Sequence, residues 1–203
     1  MATALYDRLP YDIERAFAPI GLLATTPIFI CVHPTASWRS LEELIAKAKG
    51  QPASITYASV GAGSTSRLFV ELLLDTTRVQ MVHVPYRSAA QTVQAVMQRK
   101  TAVSFIDASV ALSFIRSGEL RAMTITAAQH QAPEVPTVFE IGFPGYRTSM
   151  DFGLFAPAGT PRFIFDRLTS KARAAVSLPE LQPRLESLAM EAVGGTPAQF
   201  AAK

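Results

Sequence analysis

Glycines and hydroxyl side chains crowd into one stretch of the chain, Tyr57-Ala58-Ser59-Val60-Gly61-Ala62-Gly63-Ser64-Thr65-Ser66. A short apolar run leads into it and a helical pattern leaves it. Gly61 and Gly63 let the backbone turn sharply and let a ligand come close. A helix that starts here presents free N–H groups and a partial positive charge. Ser59, Ser64, Thr65 and Ser66 add hydroxyl donors. Together these features make an anion site for carboxylate or phosphate. Taken alone, the same stretch is read more economically as a strand-to-helix turn with a serine cap.

Other chemistries fit less well. The spacing Gly61-x-Gly63 starts a dinucleotide fingerprint, but Ser66 stands where its third glycine belongs, and no acidic residue ends the next strand. No lysine follows the glycines, so a P-loop is excluded. Ser59 or Ser64, His83 and Asp107 all fall near strand ends, so a hydrolytic triad is conceivable, yet no Gly-x-Ser-x-Gly elbow occurs. His83 serves equally as a packed or capping residue. His33 and His130 lie near prolines and suggest no metal cluster. Asp107 follows an apolar strand and precedes a helix. It is either an N-cap or a polar group at the carboxyl edge of a sheet, where open α/β sheets bind ligands. It repels a carboxylate, but it can accept from a ligand hydroxyl or amine, or orient the serine loop or a water.

The elements that carry these residues follow from periodicity. Short apolar runs at Ile55–Ala58, Gln80–Val84, Ala102–Ile106 and Leu120–Thr126 alternate with helical patterns at Ser66–Leu74, Ala89–Arg99 and on through Ile115. Such alternation predicts a mostly parallel sheet covered by helices. Leu41–Lys49 is an amphipathic helix with Ser40 as N-cap and Glu43 three residues on, ended by Gly50. The apolar stretch Ala16–Val32 reads as two successive strands with a turn near Thr25-Thr26-Pro27. Gln129–Tyr146 is mainly loop with a short helix near Val138, and Met150–Ala156 is a returning strand. Pro161 and Pro179 each begin a helix. One α/β unit therefore spans roughly Ile28–Tyr146, and the chain ends form a second unit.

Composition narrows the function classes. The 203 residues are 49% hydrophobic and 17% charged, as in ordinary globular domains. Nineteen basic and sixteen acidic residues leave a net charge of +3 without any basic run, so no nucleic-acid patch stands out. The balance mildly favours anionic ligands. Cys31 is the single cysteine, which excludes an intramolecular disulfide and a cysteine-based zinc site; its apolar neighbours mark it as a core residue. Pro19, Gly21 and Pro27 break the longest apolar stretch, which is short for a membrane helix. Met1 leads into Tyr6, Asp7 and Arg8 with no signal-peptide pattern.

A series of motifs, in order along nearly the whole chain, resembles the substrate-binding receptors of tripartite tricarboxylate transporters, the Bug family. The series runs Leu9-Pro10-Tyr11-Asp12, Phe17-Ala18-Pro19-Ile20, the Ser59–Ser66 loop, Val82-His83-Val84-Pro85-Tyr86-Arg87, Asp107 and Gly118-Glu119-Leu120-Arg121-Ala122. It continues through Val135-Pro136-Thr137, Gly142-Phe143-Pro144-Gly145, Phe152–Pro161 and Gly194-Gly195-Thr196-Pro197. Arg67 stands where that family usually has histidine, and Ser88 where it usually has glycine.

The resemblance implies an α/β fold of the periplasmic-binding-protein (Venus flytrap) kind. It implies one complete lobe, residues 26–148, and a partial first lobe, residues 1–25 and 149–203, so that the chain looks truncated at both ends. It further implies a periplasmic, non-enzymatic receptor that binds a small carboxylate, uses no cofactor or metal, contacts membrane transporter subunits and does not bind nucleic acid. The ligand-binding residues would be Ser59, Gly61, Gly63, Ser64, Thr65, Ser66 and Asp107. An incomplete lobe exposes unpaired strand edge, which points to self-association. A serine hydrolase on the same scaffold and a degenerate fragment with little binding are the competing expectations.

Overall fold

The computed structural model describes residues 10–127, 134–146 and 148–202. The chain divides into a central unit, Pro27–Met150, and a terminal unit formed by the described residues through Thr26 and from Asp151 onward. His130 and the beginning of the Gln129–Tyr146 segment lie outside the described residues, as does Leu9 of the first motif.

In the central unit, five strands line up in the order β3-β2-β4-β1-β5. These are β1 (Phe17–Val32, of which the second half belongs here), β2 (Thr56–Ser59), β3 (Val82–Pro85), β4 (Val103–Asp107) and β5 (Arg121–Ile125). β2 runs parallel to β3 and to β4. β1 is antiparallel to both β4 and β5, with Ile28 opposite Asp107 and Val32 opposite Val103. Four strands thus point one way and β1 the other, so the sheet is mixed, with the parallel strands in the majority that the strand-helix alternation predicts.

β1 is also one unbroken strand where the sequence suggests two. Pro27 lies between Thr25, which pairs with Glu191, and Ile28, which opens the ladder with β4. A proline lacking its N–H costs no ladder bond at such a change of partners. Ile28, Phe29, Ile30, Cys31 and Val32 are all fully buried, so both faces of β1 are covered. Each aliphatic side chain buried this completely contributes about 1.5–3 kcal/mol relative to exposure.

The helices cover the sheet with the faces their periodicity dictates. α2 (Leu41–Gly50) buries Leu41, Leu44, Ile45 and Ala48, and α4 (Ala89–Met97) buries Val93 and Val96. α1 is the single turn Ile13–Ala16, α3 is Thr65–Thr77 and α5 is Ala108–Arg116. Ser40 caps α2 by accepting from the Glu43 N–H at 3.3 Å. The Glu43 carboxylate reaches back to the Arg39 N–H at 2.6 Å rather than to that of Ser40. No helix forms near Val138. Thr137–Gly142 makes i→i+3 turns with a single i→i+4 bond, from the Ile141 N–H to the Thr137 carbonyl at 3.3 Å, and the Phe143 N–H returns to the Val138 carbonyl at 2.8 Å. Gly142, at φ 81°, and the flanking prolines leave too few residues to repay helix nucleation. Val138 is nonetheless a fully buried core residue.

The terminal unit contains the first half of β1, paired with β6 (Ser149–Pro157, of which Asp151 onward belongs here) and with β7 (Glu191–Ala192). Around them lie α6 (Arg162–Val176), α7 (Gln182–Ser187) and α8 (Pro197–Ala201). Pro183, not Pro179, occupies the first turn of α7; Pro179 sits in the preceding turn. Thr25 donates its hydroxyl to Asp151 at 2.9 Å, and Thr26 donates to the Ala189 carbonyl at 3.2 Å. Much of this unit is apolar and uncovered. Phe163 is 74% exposed and Phe155 52%, and Val176 is the only buried residue of α6.

Candidate functional site

Parallel strands bring the ends of β2, β3 and β4 to one edge of the central sheet, and α3, α4 and α5 begin there. The loop from β2 to α3 is held by its own hydroxyls. Gly61 adopts φ 81°, a conformation that favours glycine, and turns the chain. Its carbonyl accepts from the Ser64 hydroxyl at 2.9 Å and from the Ser64 N–H at 3.3 Å. Ser64 is the N-cap of α3 and accepts from the Arg67 N–H at 3.3 Å. The Ser64 and Ser66 hydroxyl oxygens lie 3.1 Å apart, and Ser66 accepts from the Val60 N–H at 3.4 Å.

A cavity of about 330 Å³ opens beside this loop. Gly63, Ser64, Thr65 and Ser66 line it together with Asp107, over apolar walls that include Ile28, Phe105 and Met150. Five of the seven residues singled out by sequence therefore meet in one place. Ser59 and Gly61 do not line the cavity. Ser59 is fully buried beneath the loop, its hydroxyl 3.2 Å from the Gly61 carbonyl and 2.7 Å from His83 Nε2. Asp107 occupies the N-cap position of α5 without capping it, and its carboxylate accepts from the Ser109 hydroxyl instead.

Ala89 and Thr92 of α4 also line the cavity, and the sequence reading missed them. The signal was present. If β2, β3 and β4 are parallel, the helix after β3 must start at the same edge as those after β2 and β4. Ser88 caps α4 by accepting from the Gln91 N–H at 3.3 Å, so a second helix start faces this edge.

Behind the loop lies a polar cluster. Tyr57 donates to Glu71 at 2.8 Å, and Arg67 Nε donates to the same carboxylate oxygen at 3.2 Å. Arg67 therefore engages Glu71 and is not in the cavity wall. His83 stacks on Tyr57 with ring centroids 5.0 Å apart. Burial lowers the His83 pKa below its ordinary 6.5, the Arg67 charge lowers it further, and Glu71 opposes both. Ser59 and His83 are in contact as in a catalytic dyad, but the serine is shielded and Asp107 is engaged with Ser109 rather than orienting the imidazole.

Among the described residues no three His, Cys, Asp or Glu side chains are grouped to hold a metal, and no helix is long and apolar enough to cross a membrane.

Comparison with known proteins gives a consistent result. The family described as "Tripartite tricarboxylate transporter family receptor" matches residues 1–202. A UPF0065 protein from the tcbD-tcbE intergenic region of a Pseudomonas species is 31% identical over 195 residues. That match covers 95% of this chain but 58% of the relative, so the chain spans little more than half of its length. Two Rhodopseudomonas palustris structures superimpose with a TM-score of 0.88 each. One, Rpa4515 with adipate, is 27% identical, the match covering 98% of this chain and 67% of that one. The other, MatC with bound malate, is 26% identical, with 99% and 70% covered. The α/β architecture is thus that of periplasmic binding proteins, and the family is one of receptors rather than enzymes. From the glycine-serine loop to the overall superposition, the chain belongs to the tripartite tricarboxylate transporter receptor family.

Proposed function

We propose that the chain binds a small organic acid at the cavity beside the β2–α3 loop, as an extracytoplasmic solute receptor that hands its ligand to membrane transporter subunits. The observation that carries this reading is the convergence of Gly63, Ser64, Thr65 and Ser66 with Asp107 on one cavity. The start of α3 supplies partial positive charge and N–H groups to one carboxylate oxygen pair. Asp107 adds an acceptor for any hydroxyl or amine that the acid also carries, as malate does. Ser59 and Gly61 support the loop from beneath. Adipate and malate, the acids seen in the two neighbours, define the first ligands to try.

Calorimetric titration with dicarboxylates of four to six carbons tests the reading. Saturable binding weakened roughly tenfold by Ser64→Ala supports it, since a hydrogen bond to a charged group is worth about 1.5–3 kcal/mol. Absence of binding across the panel would contradict it.

The 2.7 Å contact between Ser59 and His83 is the one observation that favours a hydrolase. Turnover of an activated ester, abolished by Ser59→Ala, would establish that reading. The exposed apolar residues of the terminal unit, Phe155 and Phe163 foremost, favour self-association of this chain.

A further inference from the structure

At the opposite edge of the central sheet, where β2 and β4 begin, a second cavity of about 260 Å³ is present. His33, Thr35 and Trp38 of the segment after β1 line it with Thr56, Arg99 and Thr101. The segment is fixed by Arg121, whose guanidinium donates to the carbonyls of Pro34 at 2.7 Å, Ala36 at 3.1 Å and Trp38 at 2.5 Å. The walls are therefore set before any ligand arrives.

The polarity of those walls is one-sided. The Thr35 N–H donates to His33 Nδ1 at 3.1 Å, so a neutral His33 carries its proton on Nε2. Arg99 Nη2 donates to the Thr35 hydroxyl oxygen at 2.7 Å, and that hydroxyl lies 3.0 Å from His33 Nδ1. The chain of bonds runs from Arg99 through Thr35 to His33 and ends on an N–H donor. Trp38 Nε1, which can only donate, is buried with no partner among the described residues, and so is the hydroxyl of Thr101, a residue 2% exposed. Buried donors left unpaired are costly and uncommon. Among the described residues, no aspartate or glutamate lines the cavity. A cation, two N–H donors and a hydroxyl with no opposing carboxylate complement an acceptor-only group.

We infer that this cavity is a second ligand site, separate from the β2–α3 loop, that takes the carboxylate of a small organic acid against Arg99, Thr101 and Trp38. Trp38 and Ala36 supply apolar wall for a short carbon skeleton. The inference does not depend on the first site binding anything.

Trp38 is the single tryptophan, so its indole N–H gives one assignable proton–nitrogen NMR signal. Titration of the whole chain with sodium acetate and sodium succinate, against matched sodium chloride, should move that signal saturably. Arg99→Gln and Thr101→Val should each weaken the response at least tenfold, and Thr101→Ser should restore it in an otherwise unchanged spectrum. The response should survive Gly63→Val, which alters only the other site. A capped glutamyl peptide acting at lower concentration than succinate keeps the assignment and makes the carboxylate that of a partner chain; the reverse order makes it a free acid. The inference is overturned by an unmoved indole signal, by equal movement with chloride, by movement that persists in both Arg99→Gln and Thr101→Val, or by its loss in Gly63→Val.

Discussion

The Ser59 hydroxyl lies 2.7 Å from His83 Nε2, with the serine fully buried and the imidazole stacked on Tyr57. This pair ties the end of β2 to β3 beneath the glycine-serine loop. His83 should titrate below its ordinary 6.5, because burial and the Arg67 charge disfavour the imidazolium. The unfolded chain then binds the proton more readily. Stability from neutral His83 is complete above 6.5 and is lost as pH falls through the folded-state value. Proton NMR should give a His83 midpoint under 6.5. His33 is lowered too, so His83→Gln isolates the effect: it should flatten the fall in melting temperature between about pH 7 and 5. A midpoint at or above the ordinary value would contradict the placement.

In the terminal unit, Gly153 faces the ring of Phe200, and a Cβ added there would lie only 2.0 Å from the ring's Cζ. Phe200 in turn packs against Phe155 with ring centroids 4.9 Å apart. Gly153→Ala should therefore cost about 1–3 kcal/mol in urea unfolding through overpacking. Combining it with Phe200→Ala should recover part of that loss, since the clash is removed. Additive losses would mean that the two residues do not meet.

The Ser59–Ser66 loop was legible because its glycines and its cap are local facts of sequence. So were the cap and apolar face of α2, which need only Ser40, Leu41, Leu44 and Ala48 in order. Other features depend on distant partners. Pro27 looks like a break until β1 is seen to change partners there, from Glu191 opposite Thr25 to Asp107 opposite Ile28. The direction of β1 against its neighbours leaves no local mark. Nor does the burial of Ser59, whose hydroxyl resembles that of Ser64 until both are placed. Thr92 was missed because its site role comes from the shared edge of three strands, not from its neighbours in sequence.

The terminal unit should drive association. Phe152, Leu154 and Phe155 on β6 and Phe163, Ile164 and Leu168 on α6 all remain more than a third exposed. An apolar surface of this kind is seldom left facing water. Sedimentation velocity should show the mean mass rising with concentration, and Phe163→Asp should shift the balance toward monomer. A monomeric mass over a broad concentration range would count against this.

Calorimetry of Gly63→Val tests whether the ligand binds at the β2–α3 loop. Gly63 lines the cavity, where a branched side chain would stand in the path of an approaching carboxylate. If the wild-type chain binds malate, adipate or a related acid, the variant should lose at least tenfold in affinity, about 1.4 kcal/mol or more. Its far-ultraviolet spectrum and melting temperature should stay near those of the wild type. Measurable binding that Gly63→Val leaves unchanged would show that the loop is only a strand-to-helix turn and that the ligand sits elsewhere.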